Sequence, residues 1–174
     1  EYLAISRSNG NLIGIRRPCT IEYYNKEGLK IWDYSTNDWI SSLDISPDGS
    51  YVAAGCHDNN VYFFNREGDL LWSFTTTDAV WSVSISADGS YVAAGGDDQK
   101  VHLISKSGQE IWRSPMYVYS DYYQSNRGTQ VLDVEIIRGG PMVLAGGRGH
   151  NDLYYLYNAT GYCMHATCKE DVYG

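Results

Sequence analysis

The sequence is poor in positive charge, in proline and in uninterrupted apolar stretches. Lys and Arg total 13 against 21 Asp and Glu, a formal charge of -8, whereas a phosphate-tracking surface needs the opposite sign. Nucleic acid is therefore not an expected partner. No apolar run approaches the ~18 residues that a membrane-spanning helix requires, and no basic-then-apolar leader is read at the beginning of the chain. The 4 Cys (Cys19, Cys56, Cys163 and Cys168) show no Cys-x-x-Cys spacing, which excludes the common zinc and dithiol motifs. Helical periodicity is missing throughout. What abounds instead is 16 Tyr, 5 Trp and 18 Gly in 174 residues, with only 3 Phe and 4 Pro. Aromatic residues with turn formers spread along the chain suit many short strands and one ordinary domain.

An internal period organises the chain. Trp32, Trp72 and Trp112 are spaced by forty, as are Gly28, Gly68 and Gly108. The segment from Ile45 through Asp48-Gly49-Ser50-Tyr51 to Gly55 returns as Ile85 through Asp88-Gly89-Ser90-Tyr91 to Gly95, and residues 35–74 match 75–114 at 17 of 40 positions without a gap. A degenerate copy covers residues 1–34, and a longer, poorly kept one begins at 131, so the units are about 1–34, 35–74, 75–114 and 131–166 with an insertion at 115–130.

Within a unit, short β-rich runs alternate with Asp-Gly and Glu-Gly turns. The third unit predicts strand a over Val80–Ser86, strand b over Tyr91–Gly95, strand c over Lys100–Ser105 and strand d over Gln109–Arg113. Four antiparallel strands every forty residues define an all-β chain built as a β-propeller of about four blades. Val80, Val83, Ile85, Val92, Ala94, Val101 and Leu103 are its expected core. The Ala-Ala-Gly after Tyr51 and Tyr91 fits strands that converge near an axis.

These motifs resemble known propeller families. The run Val83-Ser84-Ile85-Ser86-Ala87-Asp88-Gly89-Ser90-Tyr91-Val92-Ala93-Ala94-Gly95 resembles the inner half of a WD-repeat blade. The run Val61-Tyr62-Phe63-Phe64-Asn65-Arg66-Glu67-Gly68-Asp69-Leu70-Leu71-Trp72 is similar to the pyrroloquinoline-quinone-type propeller repeat, whose strand d carries a docking Trp after a Gly turn. The combination resembles surface-associated propeller proteins of archaea and bacteria over nearly all of residues 1–164. One departure is that Trp72 and Trp112 fall on strand d, where a WD-repeat protein places Trp-Asp at the end of strand c. Trp32, Trp72 and Trp112 are expected to pack between blades. Four units is the low end of the range propellers use, so the expectation is either a piece of a larger ring or association of copies through exposed blade edges.

The face of the disc carrying the b–c and d–a connections holds the variation, while the a–b and c–d turns look structural. The insertion places Tyr117, Tyr119, Tyr122, Tyr123, Asn126 and Arg127, with Asp121, on that variable face. Tyr with small polar neighbours is the composition of recognition loops, so these residues are the expected binding surface. The alternative is that the loop folds over a blade edge.

Chemistry is thinly represented. No Gly-x-Ser-x-Gly elbow, His-Glu-x-x-His helix, phosphate loop or Asp-box turn occurs. The quinone resemblance would imply an oxidoreductase with a calcium site and adjacent Cys, and the chain has no adjacent Cys pair. His57 and Asp58, Asp97 and Asp98, and His150 and Asp152 lie in b–c turns where oxygen ligands could ring a cation. The recurrence of Asp58 and Asp98 at forty favours turn capping instead, so no metal and no cofactor is expected. Asp44, Asp133 and Glu135 on strand a are read as channel lining, and His102 and His165 as ordinary strand residues. Cys163 and Cys168 could close a small disulfide loop beyond strand d, and free thiols are the alternative. Asn158-Ala159-Thr160 is a glycosylation sequon. The function read from the chain is a non-catalytic structural or interaction module, extracellular or on the cell surface, that meets protein or glycan through the b–c/d–a face. The alternative is a fragment of a quinone-dependent oxidoreductase propeller.

Overall fold

The structure, a computed structural model, describes residues 3–5, 10–16, 19–120, 125–137, 141–148 and 153–168. The first sheet comprises β1 (Leu3–Ile5), β2 (Leu12–Arg16), β3 (Thr20–Tyr24) and β4 (Lys30–Ser35), and the second β5 (Ile40–Ile45), β6 (Tyr51–Cys56), β7 (Asn60–Asn65) and β8 (Leu70–Thr75). The third holds β9 (Val80–Ile85), β10 (Tyr91–Gly96), β11 (Lys100–Ser105) and β12 (Glu110–Pro115). After a two-stranded ribbon, β13 (Tyr117–Ser120) and β14 (Ser125–Gly128), comes the fourth: β15 (Gln130–Ile137), β16 (Met142–Arg148), β17 (Leu153–Tyr157) and β18 (Cys163–Cys168). Each four-stranded sheet runs in chain order with antiparallel neighbours, and no helix occurs among the described residues. This is a β-propeller of four blades.

The repeat survives to the level of single pairs. Val52 faces Phe64 and Val92 faces Ile104 in the same register. The Asp-Gly turns are built alike: Ser46 Oγ donates to Asp48 Oδ1 at 2.7 Å while Asp48 Oδ1 accepts from Ser50 N at 3.0 Å, and Ser86, Asp88 and Ser90 repeat both distances. Gly49 and Gly89 supply the positive φ (70° and 69°) at these corners, where a Cβ would be strained.

A blade buries its faces only against neighbours, and three apolar clusters fill the three junctions. Ile13, Ile21 and Tyr23 of the first blade meet Ile40, Leu43, Ile45, Val52 and Phe64 of the second. Ala53, Val61 and Phe63 then meet Val80, Val83, Ile85 and Val92, and Ala93, Val101 and Leu103 meet Val131, Val134, Ile136 and Val143. Small residues on strand b are required there: a Cβ on Gly55 would lie 2.9 Å from Val80 Cγ1 and 3.2 Å from Val83 Cγ1.

The tryptophans of strand d pin each blade to the next. Trp32 Nε1 donates to Arg66 O, Trp72 Nε1 to Lys106 O and Trp112 Nε1 to Ala159 O, each at 3.0 Å. Each acceptor lies in the c–d turn of the following blade. The Gly of that turn leaves room for the indole: a Cβ on Gly68, Gly108 or Gly161 would come within 2.6–2.8 Å of the ring. At Gly28, the corresponding residue of the first blade, nothing lies within 4 Å of such a Cβ.

The innermost strands β5, β9 and β15 are joined through side chains. Ser42 Oγ accepts from Val83 N at 3.3 Å and Asp44 Oδ2 from Ile85 N at 2.7 Å. One junction later Ser82 Oγ accepts from Val134 N and Ser84 Oγ from Ile136 N, both at 3.2 Å. Asp44 is thus a structural acceptor between blades rather than solvated channel lining. Burial pushes its carboxyl above the ordinary value and the charge of Glu135 adds to this, against the opposing backbone donors Ile85 and Ile45. On the fourth blade the far face is uncovered. Leu144 and Tyr154 are 38% and 51% exposed, whereas Ala93 and Val101, at the same register positions of the third blade, are at 0%.

Truncating one docking indole removes ring packing, its hydrogen bond and a blade contact together. Trp72→Ala is expected to destabilise the chain by about 3 kcal/mol, and Gly108→Ala, which strains φ and strikes the same ring, by at least about 1 kcal/mol. Urea unfolding monitored by circular dichroism measures both. A change below about 0.5 kcal/mol for Trp72→Ala would deny the indole its junction role.

Candidate functional site on the b–c/d–a face

At the end of strand d each of the first three blades returns to its own b–c turn. Thr36 N donates to Cys19 O at 2.8 Å, Thr76 N to Asn59 O at 2.9 Å and Met116 N to Gln99 O at 2.9 Å. Asn59 and Gln99 hold φ of 71° and 64° to present those carbonyls. In the second and third blades the chain enters strand a through a tight turn, Thr36 Oγ1 donating to Asp38 O and Thr76 Oγ1 to Asp78 O at 2.7 Å. After the third blade the β13–β14 ribbon takes the place of that turn. Its base is fixed: Met116 is fully buried, Thr129 N donates to Met116 O at 3.0 Å, and Gln130 Nε2 donates to Asp97 Oδ1 at 2.6 Å.

The residues expected to bind are distributed over this ribbon. Tyr117 pairs with Gly128, Val118 with Arg127 and Tyr119 with Asn126. Tyr122 and Tyr123, with Asp121, lie outside the described residues, as do His150 and Asp152.

The acidic residues of the b–c turns are engaged by their own chain. Asp58 Oδ1 accepts from Asn60 N at 3.1 Å and its Oδ2 from Tyr62 OH at 2.7 Å and Asn37 N at 3.3 Å. Burial pushes the Asp58 carboxyl up, and these donors outweigh it and hold it below the ordinary value. Asp98 Oδ1 accepts from Lys100 N at 3.1 Å, and its Oδ2 lies 2.8 Å from His102 Nε2. The other ring nitrogen of His102 lies 2.7 Å from Glu110 Oε1. Buried at 3% exposure, His102 is thus the centre of a carboxylate–imidazole–carboxylate bridge across strand c, not an ordinary strand residue. For Asp98 too, burial raises the carboxyl and the bond and charge of His102 more than reverse it. Among the described residues no group of three His, Cys, Asp or Glu could hold a metal ion.

An aromatic cluster stands at the junction of the second and third blades on the same face. Trp39 in the d–a turn is 64% exposed. Its ring centroid lies 6.2 Å from that of His57 in the b–c turn, and His57 lies edge-on to Trp81 of the next blade at 4.6 Å. Trp81 occupies the bulge of strand a, where Val80 pairs with Gly96 and Ser82 with Gly95, so Trp81 itself has no cross-strand partner. Bulges re-aim a side chain in this way. Repeat spacing does not single out this cluster. The signal was there as a break in the period: Trp39 stands where the next unit has Ala79, His57 where it has Asp97, and Trp81 where the previous one has Ser41.

The c–d/a–b face has clefts of about 730 Å³ and 680 Å³. Asn11, Tyr23 and Arg66 line the first, and Tyr51, Trp72 and Lys106 the second. The second contains the docking indole of Trp72. Lys106 Nζ sits 4.3 Å from the centroid of the Tyr51 ring. The Cys163–Cys168 loop is corrected by the fold. Both residues belong to the extended β18, so their Cα atoms stand ~16 Å apart at a strand's rise per residue, far beyond disulfide reach. Cys19 and Cys56 are free thiols.

The described geometry is that of a repeat-built propeller with one embellished face. The family model of the lambda-carrageenase beta-propeller domain matches residues 3–136, and the chain belongs to that family. No curated protein matches the chain. No helix of the described residues is long and apolar enough to cross a membrane.

The depressed carboxyls of Asp58 and Asp98 tie stability to pH. A carboxyl with a lowered folded-state pKa contributes fully above its unfolded value of about 3.9 and loses that contribution as pH falls through the folded value. Stability measured by urea unfolding is expected to be flat from pH 7 to 5 with respect to these groups and to fall below about pH 4. The Asp98→Asn variant is expected to be less stable at pH 7 and to show a shallower acid slope. An unchanged slope in that variant would contradict the bridge.

Proposed function

We propose that this chain is a non-catalytic β-propeller module that acts outside the cell or on its surface and engages glycan through the b–c/d–a face. The observation that carries the reading is membership of the lambda-carrageenase beta-propeller domain family, joined to an embellished face with an exposed Trp. A binding role is supported by the way the face is spent: Asp58 and Asp98 hold turns and His102 is enclosed. The ribbon and the Trp39 cluster offer aromatic area on a rigid scaffold. Affinity electrophoresis against immobilised polysaccharides, lambda-carrageenan and agarose among them, tests the reading. Retardation without release of reducing ends is expected, and replacing Tyr119, Tyr122 and Tyr123 by Ala should weaken it severalfold. Release of reducing ends, or no retardation by any glycan, would overturn it.

We propose further that the arc is completed by additional blades, of a longer chain or of a second copy. At Gly28, which corresponds to the glycines of the indole sockets, a Cβ would meet nothing within 4 Å among the described residues, and no Trp follows Trp112 in the sequence. The far face of the fourth blade offers exposed Leu144 and Tyr154, and Asp133 and Glu135 stand at the strand positions where Ser82 and Ser84 join blades. For this chain alone, light scattering is expected to show self-association at tens of micromolar that Leu144→Lys weakens. A stable monomer, closed on its own four blades, would refute the proposal.

A further inference from the structure

The Trp39–His57–Trp81 cluster has no task in the fold that simpler residues do not already perform one repeat away. Trp39 N donates to Asp38 Oδ1 at 2.8 Å and Trp39 O accepts from His57 N at 2.8 Å. Ala79 makes the same pair of bonds, to Asp78 Oδ1 and from Asp97 N, each at 2.9 Å. The indole of Trp39 is therefore surplus to turn formation, and at 64% exposure it is not core. Its neighbour Trp81 replaces Ser41, which in the second blade satisfies its hydroxyl on Gly55 O and Val80 O. Trp81 Nε1 is closed off from solvent and has no hydrogen-bond partner among the described residues, a burial that ordinary packing avoids. Three positions at which the second and third units differ thus converge on one spot, at a blade junction beside the innermost strands.

The chemistry of the spot selects its ligand. Large exposed aromatic area lies beside groups that accept hydrogen bonds, the usual composition of a small-ligand site. The segments that build it, residues 36–41, 56–60 and 76–82, contain neither Lys nor Arg, and besides Asp58, whose oxygens are taken by Asn37, Asn60 and Tyr62, they carry the exposed Asp38 and Asp78. Polyanions are repelled from such a patch. A neutral ring with one apolar C–H face and hydroxyls at its rim fits both properties: the C–H face covers an indole and the hydroxyls meet carboxylates.

We propose that Trp39, His57 and Trp81 form a stacking subsite for a single pyranose unit of an uncharged stretch of glycan. The subsite rests on the glycan-binding reading of the same face and adds to it a position and a preference for uncharged sugar. Intrinsic Trp fluorescence of the intact chain, titrated with a neutral galactose hexaose and in parallel with lambda-carrageenan oligosaccharides, tests both. The neutral hexaose is expected to shift emission to the blue. Trp39→Ala is expected to weaken neutral-sugar binding at least about tenfold and Trp39→Phe by less than about threefold. Trp81→Phe, read by calorimetry beside them, is expected to fall between the two. Urea midpoints within error of the parent's for Trp39→Ala confirm that folding is intact, since Ala79 already serves in that place. Neutral-sugar binding that survives Trp39→Ala unchanged would overturn the subsite and leave the glycan reading standing. Tighter binding of the sulfated oligosaccharide, lost on Trp39→Ala, would overturn the preference for uncharged sugar. Absence of binding to either sugar, with the polysaccharide panel also negative, would overturn subsite and glycan reading together.

Discussion

The contact on which the rest of this structure depends is the indole N–H of strand d reaching a carbonyl in the next blade's c–d turn. It occurs three times, from Trp32, Trp72 and Trp112, at the same 3.0 Å. Each contact needs a side chain large enough to cross the gap and a turn glycine with φ between 76° and 93° to receive it. The indoles also stack on their own strand c, Trp32 on Tyr23 at 5.2 Å and Trp72 on Phe63 at 4.9 Å. One residue therefore orders the outer edge of its own sheet and fixes the angle at which the next sheet arrives. The apolar clusters then fill a space whose width is already set.

At the inner edge the problem is different. Strands a of adjacent blades point their edges at a common axis and cannot pair as a ladder, so their amides would be left unpaired near the core. Ser42, Asp44, Ser82 and Ser84 supply the missing acceptors. Buried polar groups thus act here as joints, and a carboxyl with a raised pKa at Asp44 follows from using a charged group where a hydroxyl serves one blade later.

Fold was legible because the constraints repeat. Forty-residue spacing exposed the tryptophans, the turn glycines and the Ala-Ala-Gly strands, and every one of these is a residue for which geometry leaves little choice. Strand d of the third blade, read from Gln109, begins at Glu110 and runs on to Pro115, because a strand end depends on hydrogen bonds rather than on composition. Function was less legible for the converse reason. Aligning copies for identity draws the eye away from Trp39, His57 and Trp81, which are informative because they do not match. His102 could not be read from spacing either, since its partners Asp98 and Glu110 come together only through the c–d turn. The two cysteines of β18 looked close in sequence, and an extended strand separates them.

The docking contact is also directional: the first three blades send an indole forward and the last three receive one from behind, so that in the second and third both halves lie within the same forty residues. A tandem duplication or deletion of one such stretch of coding sequence, made in frame, would join a forward half to a matching rear half wherever the break fell. Ring size in an architecture built this way can drift by whole units through recombination alone, with no compensating substitution at the new seam.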